Sequence, residues 1–90
     1  MHYHYPTRMV CARSVDFDLE DECVRGVRFT GGCDGNLRAV SKLVEGMPAE
    51  QVIEVLAGNP CNGRDTSCAD QLTRALADAL ARERAALAED

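Results

Sequence analysis

Val15-Asp16-Phe17-Asp18-Leu19-Glu20-Asp21-Glu22-Cys23-Val24-Arg25-Gly26-Val27-Arg28-Phe29 is the stretch whose reading decides the fold. In its first part Val15, Phe17 and Leu19 are apolar while Asp16 and Asp18 are not. That period of two marks a half-buried strand running from Val10 to Leu19. Glu20-Asp21-Glu22 is a charged turn. A second strand then runs from Cys23 to about Thr30, with Val27 and Phe29 on one face, and ends at Gly31-Gly32. The two strands form an antiparallel hairpin. Setting Leu19 near Cys23 places Cys11 opposite Gly31, so Cys11 and Cys33 become neighbours at the open end of the hairpin.

Three helices follow. The first starts near Asn36, a good N-cap, and turns Leu37, Val40, Leu43 and Val44 inward. Gly46 suits its C-terminal stop, and Pro48 suits the first position of a second helix. That helix buries Val52, Ile53 and Leu56 and stops at Gly58. Asn59-Pro60-Cys61-Asn62-Gly63-Arg64-Asp65 is a loop by its breaker residues. The last helix is the longest, from about Ser67 to Leu87, with frayed residues from Ala85 to Asp90. Its stripe of Cys68, Leu72, Ala75, Leu76, Ala79 and Leu80 faces the core. The expected class is α+β: an antiparallel sheet of two or three strands packed on one face by three helices.

Four of the five cysteines stand where these elements begin or end: Cys11, Cys33, Cys61 and Cys68. Cys68 falls in the first turn of the last helix, where unpaired amides and the helix dipole favour a thiolate. Ser67 and Asp70 fit the Ser-x-x-acid capping pattern that would fix this helix start. A capped helix followed by a small core cysteine is the plain alternative. Cys61, in a Gly/Pro/Asn loop seven residues earlier, argues instead for a second ligand folding back over the helix start. The spacing Cys-x21-Cys-x27-Cys-x6-Cys lacks paired Cys-x2-Cys knuckles, so its force comes from the fold. Four thiolates suit Zn²⁺ in a closed tetrahedral site, or an iron–sulfur cluster. Cys23 starts the second strand at the far end of the hairpin and is read as a bystander.

Composition narrows the function classes. Ninety residues form a single domain over 1–90, and 46% hydrophobic with 28% charged residues is globular. Ten basic residues scattered among fifteen acidic ones give a net charge of −5, which argues against nucleic acid as a partner. No apolar run approaches a membrane span, and Met1-His2-Tyr3-His4-Tyr5-Pro6 carries no apolar leader core, so a cytoplasmic address is expected. Thiols stay reduced there, and five cysteines leave one over in any disulfide scheme. Gly31-Gly32-Cys33-Asp34-Gly35-Asn36 lacks the Gly-Lys-Ser/Thr ending of a phosphate loop and reads as a tight turn delivering Cys33. His2 and His4 alternate on one face of an extended segment, either solvated or approaching the open end of the hairpin. No Ser/His/Asp or Cys/His grouping and no acidic pair is set up for catalysis, so no enzyme activity is expected of the chain alone.

Gly31-Gly32-Cys33-Asp34-Gly35-Asn36-Leu37, then Leu43-Val44-Glu45-Gly46-Met47, then Thr66-Ser67-Cys68-Ala69-Asp70-Gln71-Leu72 together resemble the small four-cysteine proteins of the TSCPD-domain family. The similarity runs from about Tyr5 to Ala79. The family's name comes from a Thr-Ser-Cys-Pro-Asp run, in which Ala69 here replaces the proline. Its four cysteines match Cys11, Cys33, Cys61 and Cys68, and Cys23 matches none. The domain is also found appended to adenosylcobalamin-dependent ribonucleotide reductases. The resemblance therefore implies a reductase, or iron–sulfur machinery, as a partner to consider.

A more distant likeness is to the U-type iron–sulfur cluster scaffolds, whose three cysteine positions coincide with Cys11, Cys33 and Cys68. Arg13 stands where those scaffolds have an aspartate, Ser67 where they have a histidine, and Cys61 is an added thiol. These departures imply a saturated, retentive site, with Arg13 or Arg64 offsetting its negative charge.

Overall fold

The computed structural model describes residues 2–7, 10, 12–31, 34–58 and 67–88. Three strands, β1 (His2–Pro6), β2 (Ala12–Glu20) and β3 (Cys23–Gly31), form an antiparallel sheet in the order β1-β2-β3. Helices α1 (Asp34–Val44), α2 (Ala49–Leu56) and α3 (Cys68–Ala88) follow. The expected α+β class holds, and β1 supplies a third strand.

The alternation read from Val15, Phe17 and Leu19 is the packing face. Val15 and Phe17 are fully buried and Leu19 nearly so, while Asp16 and Asp18 lie on the wet face. Complete burial of Phe17 alone is worth about 2 kcal/mol. Leu72, Ala75, Leu76, Ala79 and Leu80 of α3 join these residues in one core with Val24, Val27, Val44 and Val52. Tyr3 and Tyr5 add an aromatic stack on Phe17, with ring centroids 5.6 and 6.0 Å from it.

The hairpin differs from expectation in its register. Glu20 pairs with Cys23 and Leu19 with Val24, one residue away from the Leu19–Cys23 pairing the alternation suggested. The two-residue turn Asp21-Glu22 explains it, both residues having positive φ (51° and 64°) as a tight hairpin turn requires. Two irregularities then offset each other. Between Asp18/Arg25 and Asp16/Arg28, β3 carries an extra residue, and between Ser14/Thr30 and Ala12/Gly31, β2 does. Gly26, at φ +60°, accommodates the first of these bulges. The bulge resets the alternation so that Val24, Val27 and Phe29 all turn toward the core. At the open end Ala12, rather than Cys11, is opposite Gly31.

The helix boundaries shift by small amounts. Asn36 lies inside α1, which starts at Asp34, and Leu43 is 76% exposed rather than inward. Gly46 has φ +82° and donates its N–H to Val24 O, so the α1–α2 connection runs beside the start of β3. Pro48 caps α2 from outside, its carbonyl accepting from Gln51 and Val52. The last helix continues through Ala88, so residues expected to fray are helical. No described helix is long and apolar enough to cross a membrane.

Candidate metal centre

Ser67 and Asp70 set the start of α3. Ser67 Oγ accepts the Asp70 N–H at 3.0 Å, and the Ser67 carbonyl accepts the Gln71 N–H at 2.8 Å. The capping expectation holds for the serine. The aspartate does something the pattern did not suggest: its carboxylate accepts the Gly58 N–H at 2.6 Å and Arg74 Nε–H at 3.0 Å. Asp70 is 3% exposed, and it clamps the residue just past α2 onto the first turn of α3. The two ends of the segment that carries Cys61 are thereby tied together. The sequence clue was present in the glycine that ends α2, but no local pattern links it to an acid twelve residues later.

Cys68 is the first residue of α3 and is half-buried. Its place along the sheet follows from three contacts further down the helix. Arg84 reaches Glu22 in the hairpin turn, with Nε 3.0 Å from Oε2 and Nη2 3.1 Å from Oε1, and also bonds Glu50 of α2. The Tyr3 hydroxyl donates to Glu83 at 2.8 Å, and the Tyr5 hydroxyl to Asp78 at 2.6 Å. Moving from Arg84 back to Asp78 therefore moves away from the hairpin turn, toward Tyr5 and its partner Val15. Ten further residues of helix cover about 15 Å, while three residues of strand from Val15 to Ala12 cover about 10 Å. The start of α3 thus lies toward the end of the sheet where Ala12 pairs with Gly31.

Cys11, Cys33 and Cys61 lie outside the described residues, as does Arg64. Ala12 and Gly31, the described residues nearest Cys11 and Cys33 in sequence, are register partners at the open end of the hairpin. Cys23 pairs with Glu20 beside the turn and bridges to Pro48, at the other end of β3. Arg13 is exposed at the β2 irregularity next to Ala12. Among the described residues, no three His, Cys, Asp or Glu side chains are grouped to hold a metal ion.

The histidines do not approach the open end. His2 and His4 pair in register with Asp18 and Asp16, on the wet face. His4 Nδ1 lies 2.7 Å from Asp16 Oδ1, and His2 Nδ1 lies 3.3 Å from Asp18 Oδ1. The pairing of β1 with β2, which sequence alternation did not resolve, fixes them there.

The strongest electrostatic perturbations lie along α3. Burial, reinforced by the Glu83 hydrogen bond, pushes the Tyr3 phenol up to about 12. Burial and then the Asp78 hydrogen bond push Tyr5 to about 12 as well. The Arg84 guanidinium holds the Glu22 carboxyl below its usual range, and Arg84 is raised in return. These contacts fasten α3 to β1 and to the hairpin turn, and so fix the direction that carries Cys68.

No curated protein and no solved structure matches the chain. The family model described as the TSCPD domain matches residues 2–80, nearly the whole of the fold just described, and the chain belongs to the TSCPD-domain family.

Proposed function

We propose that the chain is a metal-binding module in which Cys11, Cys33, Cys61 and Cys68 hold one Zn²⁺, with a structural or partner-docking role. One observation carries the reading: the direction of α3 brings Cys68 toward the end of the sheet where Ala12 and Gly31 pair. Asp70 strengthens it by tying together the two ends of the segment that contains Cys61. The donor set fits the ion. Zn²⁺ takes four thiolates tetrahedrally, and the first turn of α3 favours the ionised form of Cys68. A bound zinc supplies cross-linking free energy to a small core, and a fully thiolate-ligated ion has no open position for chemistry. A cytoplasmic, reducing setting agrees with this use of thiols.

Metal analysis of anaerobically purified protein tests the reading. One colourless zinc per chain is expected. Cys33→Ser and Cys68→Ser should each lose the metal and lower the melting temperature by about 10 °C or more. Cys23→Ser should keep both. Equal metal content and stability in all three variants would make the cysteines ordinary packing residues. Visible absorption with iron and sulfide would transfer the same thiols to an iron–sulfur carrier, and co-purification with a ribonucleotide reductase would name the partner.

A further inference from the structure

A groove of about 520 Å³ runs between the outer edge of β3, from Val27 to Gly31, and helix α1. Val27 and Leu37 are buried in its floor, with Phe29 half-buried beside them. Arg28, Arg38 and Lys42 are exposed along its rim. Three of the chain's ten basic residues therefore gather here, although the net charge is −5. Their concentration was invisible in the sequence because the strand and the helix bring together residues far apart in the chain. No ion pair among the described residues engages Arg28 or Lys42. Asp16, across from Arg28 in the sheet, is already hydrogen bonded by His4.

The sheet edge in this groove is also open. At the start of β3 the α1–α2 connection covers it: Val24 N–H donates to Met47 O, Gly46 N–H to Val24 O, and Gly26 N–H to Glu45. Beyond Gly26, no backbone hydrogen bond among the described residues leaves β3 on that side. An edge strand facing a helix, with an apolar floor between them, has the arrangement that receives an added strand.

We propose that this groove docks an extended acidic segment of a partner protein, added as a strand along β3 from Val27 to Gly31. Alternate apolar side chains of the segment rest on Val27, Phe29 and Leu37, and its acidic residues meet Arg28 and Lys42. The charge pattern selects this occupant. Lys42 and Arg38 stand on α1 and Arg28 on β3, on opposite sides of an apolar floor, so an extended acidic chain lying between them meets positive charge on both sides. Nucleic acid fits poorly, because Asp16 and Glu45 border the basic strip. The inference stands apart from the thiol reading, since no cysteine among the described residues lines the groove, and each can fail without the other.

The test uses the ¹⁵N-labelled full chain, titrated with a blocked synthetic peptide of alternating Glu and Val. Shifts confined to Val27–Gly31 and α1 are expected, with slower amide exchange along β3 and binding that weakens with salt. The pair Arg28→Gln and Lys42→Gln, both exposed and introducing no charge opposite Asp16, should leave the melting temperature nearly unchanged. The same pair should weaken the Glu-Val peptide about tenfold and improve binding of a Lys-Val peptide. No shifts at millimolar peptide, shifts elsewhere, or equal binding of the Lys-Val peptide to the unaltered chain would overturn the proposal. Inorganic phosphate producing the same shifts at the same concentration would reduce the groove to a small-anion site and also overturn it.

Discussion

Replacing Asp70 with alanine tests the feature that organises the start of α3. The carboxylate is buried and accepts from Gly58 N–H at 2.6 Å and from Arg74 Nε–H at 3.0 Å. The hydrogen bond from a backbone amide to a buried, charged acceptor contributes about 2 kcal/mol. The Arg74 pair, four residues along the same helix with its guanidinium exposed, adds about 0.5 kcal/mol. An acid in the first helical turn adds about 0.5 kcal/mol through the dipole. Asp70→Ala should therefore cost about 3 kcal/mol, or roughly 15 °C of melting temperature in a domain of this size. Asp70→Asn keeps an acceptor for Gly58 but loses the charge, and should cost about half as much. Ser67→Ala removes only the cap, for about 1 kcal/mol.

Urea unfolding of the reduced chain with chelator present gives the protein term alone, and repetition with zinc separates the effect on the metal. If the thiols hold zinc as proposed, Asp70→Ala should also speed its loss, since Gly58 and Asp70 hold the ends of the Cys61 segment. A loss below about 1 kcal/mol, or one equal to that of Ser67→Ala, would show that Asp70 is only a cap.

Three further outcomes follow from particular residues. The Tyr3 and Tyr5 phenols, both raised from 10 to about 12, favour the folded state in their protonated form. Their contribution is complete below pH 10 and lost as the pH climbs toward 12, because the unfolded chain ionises first. Unscreened, the two shifts would amount to about 5 kcal/mol, and screening around half-buried Tyr5 brings the expected loss to about 3 kcal/mol. Denaturation against pH should lose that window in a Tyr3→Phe, Tyr5→Phe variant. Gly26→Ala should destabilise by about 1 kcal/mol, through backbone strain at φ +60° rather than crowding, since the added carbon would meet Asp18 Oδ2 at an ordinary 3.6 Å. Gly35→Ala, in the first turn of α1 with nothing within 4 Å, should stabilise by about 0.5 kcal/mol, so opposite signs in thermal unfolding are the check.

The hairpin was legible because Val15, Phe17 and Leu19 spell a period of two, and α3 because Leu72, Ala75, Leu76, Ala79 and Leu80 spell a helical stripe. Both patterns are local and both report burial. The register was not legible. It depends on a turn of two acids held at positive φ and on two compensating bulges, and neither leaves a periodic trace. Leu43 misled for a related reason. It continues the apolar spacing of Leu37, Val40 and Val44, yet is exposed on the rim of an apolar hollow between α1 and α2, while α1 packs against β3 at the edge of the sheet.

That edge position links the readable and the unreadable parts of the molecule. Set to the side, α1 leaves a strip of strand open and aligns Arg38 and Lys42 with Arg28 across it. Sequence spacing could place Cys68 at the start of α3 because that start is marked by a serine cap. It could not place three cations along one groove, because their alignment exists only once Gly46 and Met47 pin the α1–α2 connection to Val24. Disturbing that pin should therefore open or close the groove while leaving the ladder between β2 and β3 intact, since the ladder uses the opposite edge of the same strand.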